Sequence, residues 1–244
     1  MTCLLRICFS VCFSVCWLLP AVAGTVDGTI ELTNSHDPEV RKHKIYSGVV
    51  VWLEAVGRPA ETGPAAAKGQ PAVVAQKMKM FTPHVSAITA GSAVEFPNQD
   101  PIFHNAFSGY SGQVFDVGLY PPGRSRTVVF KREGVVRVFC NIHSQMSAVI
   151  VVVKTPYFAV SDASGSFEIP DVPAGEYRLH VYHERALQEN LDAMEQTVKV
   201  TAEDLCIPRL AVSETGYVQL PHQNKYGLEY PAAEGDLLYS KDGK

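Results

Sequence analysis

Short runs of β-branched and aromatic residues, each closed by a turn signal, recur along most of the 244-residue chain. The runs at residues 135–139 and 147–153 are the clearest. A helical period is nearly absent, and only the loop after Glu184 has the spacing of a short helix. Short strands with regularly placed turns are typical of an antiparallel β-sandwich, so the predicted fold is all-β.

The first 23 residues are predicted to be a cleaved export signal. Arg6 supplies the positive charge, residues 7–19 form an apolar run, and small residues at 21–23 precede Gly24. The apolar run is short for a membrane span. We therefore expect a periplasmic protein with no transmembrane segment in the mature chain.

Charge and motifs argue against several classes of function. The formal net charge is −4, and cleavage after residue 23 would remove Arg6, so nucleic acid is not an expected partner. The sequence shows no pattern typical of a nucleophile with its base, a phosphate-binding loop or a pair of catalytic carboxylates. We therefore expect that the protein is not an enzyme.

Three potential metal ligands follow the strand at 135–139. Cys140, His143 and Met146 lie at i, i+3 and i+6, and His104 lies upstream. A regular strand sends neighbouring side chains to opposite faces, so these side chains can meet only where a loop leaves the strand and a second hairpin delivers His104. One Cys, two His and one Met are the ligand set of a blue-copper electron-transfer site, in which the Met is the weak axial ligand.

Two alternatives compete with the copper site. Structural zinc sites prefer four Cys or His ligands and rarely use Met, so Met146 favours copper. Loss of the export signal would leave Cys140 and Cys206 as the remaining cysteines, and a disulfide between them is possible in an oxidising compartment. That disulfide would consume the proposed thiolate ligand and leave His143 and Met146 without a role.

Side chains outside this motif are predicted to be structural. Met78 and Met80 alternate with lysines and are expected to pack in the core rather than to store copper. Cys206 is expected to be a buried free thiol. Residues 34–44 are polar and are expected to form a loop.

Residues from about 78 to 153 resemble a cupredoxin of the plastocyanin and amicyanin kind. The matching segments are Phe81-Thr82-Pro83, Gly91 to Asp100, Phe103-His104-Asn105, Phe115-Asp116, Gly134 to Cys140 and His143 to Met146. The spacing Cys-x-x-His-x-x-Met is similar to that of amicyanin. The resemblance implies a Greek-key β-sandwich that holds one type 1 copper ion.

The resemblance also implies a role for each ligand. His104, Cys140 and His143 would form a trigonal set, with Met146 as the axial ligand. Asn105 would tie the His104 segment to the loop after Cys140. His143 would lie nearest to solvent and serve as the exit for the electron.

The chain after the export signal is divided into three parts, the first two by similarity and the last because its sequence is polar and without periodicity. Residues 24–153 are expected to form the cupredoxin domain with an N-terminal extension. Residues 154–212 resemble a small transthyretin-like or carboxypeptidase-regulatory-like β-sandwich, a fold that implies no activity by itself. Residues 213–244 are expected to be a polar tail that wraps the domains or stays mobile. The whole chain is similar to secreted bacterial proteins described as methylamine-utilisation-like.

Three functions are compatible with these patterns. The first is a periplasmic carrier of single electrons, whose partner would be a redox protein such as a c-type cytochrome, a dehydrogenase or a terminal oxidase or peroxidase. The second is a protein that binds or delivers copper without electron transfer. The third is a metal-free β-sandwich that mediates interactions in the cell envelope.

Overall fold

The structure is a computed structural model that describes residues 23–57, 71–109, 112–216 and 223–230. The predicted export signal, apart from Ala23, lies outside the described residues. Within them the chain forms two short helices, and all its other regular elements are strands. The elements are β1 (Ala23–Thr33), α1 (Pro38–His43), β2 (Val50–Ala55), β3 (Ala72–Val73), β4 (Ala75–Lys77), β5 (Met80–Thr82), β6 (Val85–Thr89), β7 (Ala93–Pro97), β8 (Phe107–Ser108), β9 (Phe115–Asp116), β10 (Ser125–Val129), β11 (Gly134–Phe139), β12 (Ser147–Val153), β13 (Phe158–Val160), β14 (Ser166–Pro173), β15 (Gly175–Tyr182), α2 (Gln188–Asp192), β16 (Gln196–Val200) and β17 (Leu205–Ser213).

The all-β prediction is confirmed, and the strands form two β-sandwiches. In the first, a five-stranded sheet of order β6-β12-β11-β8-β9 faces a three-stranded sheet of order β10-β7-β3. Side chains of β11 alternate, so Val136 and Val138 point into the core between the sheets. Cys140 continues this alternation directly after the strand and is fully buried in the same core.

The second sandwich is built from both ends of the chain. Its sheets have the orders β14-β1-β17 and β13-β2-β15-β16, and Val26, Ile30 and Leu53 share its core with Tyr177 and Leu179. This arrangement differs from the predicted division at residue 153, because β1 and β2 pair with strands that lie more than a hundred residues later. The first sandwich is therefore an insertion between β2 and β13.

Both sandwiches also contain parallel strand pairs, which the prediction of an antiparallel fold did not include. The strand β12 runs parallel to β6, and β17 runs parallel to β1. Parallel neighbours need a long connection, and here the intervening chain supplies it. The predicted polar loop at 34–44 contains α1, which Asp37 caps by accepting a hydrogen bond from the Glu39 amide at 2.9 Å.

A third apolar cluster joins the two sandwiches. Val149, Val151 and Val153 on the outer face of β12 pack with Val50 and Val85. β12 is thus buried on both faces, which explains why its sequence is apolar from Ala148 to Val153. Neither described helix has the length and apolar character that crossing a membrane would require.

Candidate metal centre

Three of the four predicted ligands converge at one end of the first sandwich. Cys140 lies directly after β11, His143 lies in the loop before β12, and His104 lies between β7 and β8. The Cys140 Sγ is 3.8 Å from the His104 Nδ1 and 3.7 Å from the His143 Nδ1. The three ligand atoms all lie within 4.8 Å of one another, a grouping that a single metal ion could bridge.

Local backbone bonds hold these segments. The Cys140 amide donates to the Met146 carbonyl at 3.1 Å, and the Met146 amide donates to the His143 carbonyl at 3.1 Å. The loop is therefore closed on itself, which allows ligands at i, i+3 and i+6 to turn inwards. His104 is held by a two-way bridge with Tyr120, whose hydrogen bonds measure 3.1 and 2.9 Å.

The fourth predicted ligand, Met146, is fully buried. It belongs to the same core cluster as Cys140. The structure thus places a thioether-bearing residue in the same apolar core as Cys140. A buried thioether there could serve as a weak further ligand of a copper ion.

A buried carboxylate orients His104. The His104 Nε2 lies 2.8 Å from the Asp100 Oδ2, and both side chains are almost completely buried. Since the carboxylate can only accept, Nε2 carries the proton and Nδ1 presents its lone pair towards Cys140. A hydrogen bond from the far nitrogen of a ligating histidine to a carboxylate is a common support of metal sites.

Asp100 is itself fixed by a tight turn. It accepts hydrogen bonds from the amides of Met78 at 2.6 Å and Lys79 at 2.9 Å. Both turn residues have left-handed backbone angles, with φ of 54° and 55°, and this conformation points both amides at the carboxylate. The sequence offered no signal for Asp100, because outside a helix the spacing to His104 predicts no contact.

The ionisation of the ligands suits a cation. Burial lowers the pKa of His104, although Asp100 opposes this shift. Burial, with the neighbouring charges of His104 and Lys79, lowers the pKa of His143 to about 4. Both imidazoles are therefore neutral near pH 7 and able to ligate. Burial raises the pKa of the Cys140 thiol, against amide hydrogen bonds from Ile142, Asn105 and His143, and a bound cation would favour its thiolate.

Asn105 does not make the link that the resemblance implies. Its side-chain amide donates to the Asp116 Oδ1 at 2.7 Å and to the Gly118 carbonyl at 3.1 Å. Only its backbone N–H reaches the Cys140 sulfur. The side chain therefore ties the His104 segment to β9 and the turn after it, not to the loop after Cys140.

Apolar side chains are exposed beside the ligands. His143 is half-buried, whereas Ile142 and Phe103, each next to a ligand in sequence, are 40% and 54% exposed. Met78 and Met80 are 61% and 54% exposed, so the prediction that they pack in the core is wrong. The strand alternation assumed for them is interrupted by the turn that binds Asp100.

Cys140 and Cys206 are both free. Cys140 is buried in the first sandwich, and Cys206 lies in β17 of the second. The competing disulfide is therefore not formed. Cys206 is exposed, which corrects the expectation of a buried thiol.

Comparison with known proteins finds only partial or distant similarity. Residues 144–205 match the family model for domain II of polysaccharide lyase family 4. The match begins directly after His143 and leaves most of the chain unmatched. No curated protein matches the chain.

Among solved structures, a purple cupredoxin from Nitrosopumilus maritimus is 24% identical with a TM-score of 0.31, and the alignment covers 33% of this chain and 98% of that one. A reduced mutant of amicyanin is 21% identical with a TM-score of 0.32, covering 42% and 97%. The copper-containing nitrite reductase of Thermus scotoductus SA-01 is 22% identical with a TM-score of 0.33, covering 50% of this chain and 28% of the reductase. These values are too low to carry an argument about function, so the case for a metal centre depends on the geometry described above.

Proposed function

We propose that the protein binds one copper ion at a type 1 site and carries single electrons between redox partners. The observation that carries this proposal is the convergence of one sulfur and two imidazole nitrogens within 4.8 Å. The residues present fit copper: thiolate, imidazole and thioether donors together accommodate both Cu(I) and Cu(II). By the same donor set, the first sandwich is proposed to be a cupredoxin domain.

The protein residues would hold the site in one geometry. His104, Cys140 and His143 would bind the metal, and Met146 would be its weak fourth ligand. Copper bound there would supply a centre that accepts and releases one electron. Asp100 fixes the His104 ring, and the hydrogen bonds that close the loop between Cys140 and Met146 fix Cys140, so little rearrangement between oxidation states is expected. That restraint favours fast electron transfer.

The proposal extends to location and partner. Export by a cleaved signal would place the protein in the periplasm, where the partner would be a redox protein such as a c-type cytochrome, a dehydrogenase or a terminal oxidase or peroxidase. Half-buried His143 would be the route for the electron, and exposed Ile142 and Phe103 would give a small apolar contact for a transient complex. The protein would carry electrons without catalysing a reaction of its own.

One observation favours copper delivery as a second candidate. Met78 and Met80 expose two thioethers on the turn that binds Asp100, and thioethers select Cu(I). A delivery protein would pass copper to an acceptor and would lose its metal on reduction. An electron carrier would keep one equivalent through repeated cycles of oxidation and reduction.

The test is the visible and EPR spectrum of the chain from Gly24 to Lys244 with one equivalent of Cu(II). An intense thiolate-to-copper band with narrow hyperfine splitting is expected in the wild type and in Cys206→Ser, and its absence is expected in Cys140→Ser. An ordinary Cu(II) spectrum that survives in Cys140→Ser would remove Cys140 as a ligand and overturn the proposal. Absence of stoichiometric copper would favour the metal-free module.

A further inference from the structure

The described part of the C-terminal tail, residues 223–230, lies against the loop that carries Cys140. The Tyr230 hydroxyl donates to the carbonyl oxygen of Cys140 at 2.6 Å. The Lys225 amide donates to the Asn141 Oδ1 at 2.9 Å. Two hydrogen bonds from the tail therefore end on the ligand cysteine and on the residue directly after it.

The Lys225 side chain is also linked, through Asp116, to the segment that carries His104. Its Nζ lies 2.6 Å from the Asp116 Oδ2, and the Asp116 Oδ1 accepts from Asn105 at 2.7 Å. A continuous set of hydrogen bonds thus connects Asn141, after Cys140, to Asn105, after His104. The link between these two segments that Asn105 does not make directly is made through Asp116 and Lys225.

Hydrogen bonds within the tail segment close a turn at residues 224–228. The Asn224 Oδ1 accepts from the amides of Tyr226 at 2.9 Å and Leu228 at 3.1 Å. The Asn224 amide donates to the Leu228 carbonyl at 2.9 Å, and Gly227 takes the left-handed conformation that closes this turn. Lys225 therefore lies within a closed turn, and Tyr230 follows that turn by two residues.

The segment is not simply packed into the core. Between it and the edge of the five-stranded sheet lies a cleft of about 840 Å³, lined by Phe107, Phe139, Arg137 and Tyr226 among others. The segment's apolar side chains stay exposed, with Tyr226 and Leu228 at 70% and 62%. Its hydrogen bonds to the first sandwich end on Cys140, Asn141 and Asp116, so they constrain particular positions beside the ligands.

We propose that residues 223–230 form a strap that positions the metal ligands, with Tyr230 holding the Cys140 peptide and Lys225 coupling the Cys140 and His104 segments. This inference rests on the proposed copper function for its purpose, although the restraint itself exists without metal. Lys225 and Tyr230 are positioning residues, since they act on the ligands through Asn141, Asp116 and the Cys140 carbonyl.

The first test is amide hydrogen exchange in the metal-free chain from Gly24 to Lys244. The amides to follow are those of Cys140 and Met146, which are bonded within the loop. Tyr230→Phe and Lys225→Met are each expected to speed their exchange by about fivefold, the factor for the loss of one net hydrogen bond.

Matched controls are available in the same chain. Tyr177→Phe removes a hydroxyl that donates to the Pro173 carbonyl at 2.8 Å in the second sandwich. Lys154→Met removes a surface ion pair with Glu133 that is 2.6 Å long. Neither control should change exchange in the loop. If Tyr230→Phe and Lys225→Met behave like these controls, the strap does not restrain the loop and the inference is wrong.

A second test uses the copper-loaded protein. Tyr230→Phe and Lys225→Met are expected to shift the thiolate-to-copper band, and Lys225→Arg, which keeps the charge and the donor, should restore its position. An unshifted band in both variants would overturn the positioning role. If the wild type shows no such band, the copper proposal fails, and the exchange experiment still decides whether the strap restrains the loop.

Discussion

The side chain on which the candidate site most depends, apart from its ligands, is Asp100. It is buried, it accepts hydrogen bonds from the amides of Met78 and Lys79, and its hydrogen bond with His104 fixes the tautomer of that ring. A carboxylate in this position both orients the imidazole and makes its other nitrogen a more basic metal ligand. Its loss in metal sites typically lowers metal affinity by about 10- to 100-fold.

Asp100→Asn is therefore expected to weaken Cu(II) binding by about 10- to 100-fold, measured by competition with a chelator of known affinity. The matched control is Asp162→Asn, since Asp162 also accepts amide hydrogen bonds, from Ser164 at 2.8 Å and Ser166 at 3.0 Å, but lies in the second sandwich. Equal affinities for Asp100→Asn and the wild type would show that the carboxylate does not support the site.

Individual residues show how far the sequence could predict the site. Cys140 and His143 were predictable because residue type and spacing at a strand end are local information, and the structure brings both to His104. Asp100 and Lys225 were not, because their contacts depend on turns whose direction the local sequence does not determine. The resemblance to cupredoxins predicted the wrong partner for the Asn105 side chain, because in the fold this side chain donates to Asp116 and Gly118.

At the level of strands, the pairing of β11 with β12 explains why the ligand loop is so well placed. Phe139 pairs with Ser147, so the strands meet again directly after the loop and leave it seven residues to close. Alternation along β11 then directs Cys140 inwards with Val136 and Val138. This part of the fold follows from a period of two and from turn residues, and it was predictable for that reason.

The start of β12 also belongs to a contact between the sandwiches. The His84 Nδ1 faces the Ser147 carbonyl at 3.0 Å, and its Nε2 faces the Glu184 Oε1 at 2.8 Å. Both partners accept, so only the doubly protonated ring satisfies both contacts. The hydrogen bond with Glu184 raises the pKa of His84, against the effect of burial.

This contact predicts a dependence of stability on pH. Because the pKa of His84 in the folded state lies above its ordinary value of 6.5, the stabilisation is fully present below pH 6.5 and is lost as the pH rises through the raised value. The free energy of unfolding should fall as the pH rises over that interval. Its slope against pH should correspond to the release of at most about one proton on unfolding.

Denaturant unfolding between pH 6 and pH 9 would measure the slope. His84→Gln should flatten it, whereas His36→Gln, which alters an exposed histidine before α1, should leave it unchanged. Equal slopes in the wild type and His84→Gln would contradict the assignment of this contact.

Among the described residues, the four larger sheets of the molecule form a stack with three apolar interfaces. Each sandwich has its own core, and the third cluster lies between β12 and the second sandwich. The sequence predicted two β units but not their connection, because the partners of β1 and β2 lie far along the chain. An alternating pattern in a strand predicts that one of its faces is buried, but it does not indicate which distant sheet covers that face.

Chain fragments provide a test of this assembly. Residues 154–216 alone lack β1 and β2, whose Val26, Ile30, Val51 and Leu53 fill the second core, so this fragment should show no cooperative unfolding by calorimetry or circular dichroism. Joining residues 23–57 to residues 154–216 through a short Gly-Ser linker should restore it, since β2 and β13 are antiparallel neighbours and bring the two ends together.

The inserted sandwich should behave differently when it is isolated. Residues 71–153 contain the whole of the first core and all four proposed ligands, so they should fold cooperatively without the second sandwich. Isolation would expose Val85, Val149, Val151 and Val153, and an apolar patch of this kind promotes association, which sedimentation velocity would detect. Cooperative folding of residues 154–216 alone would contradict this assembly, because it would show that β1 and β2 are dispensable and that the division at residue 153 describes two independent domains.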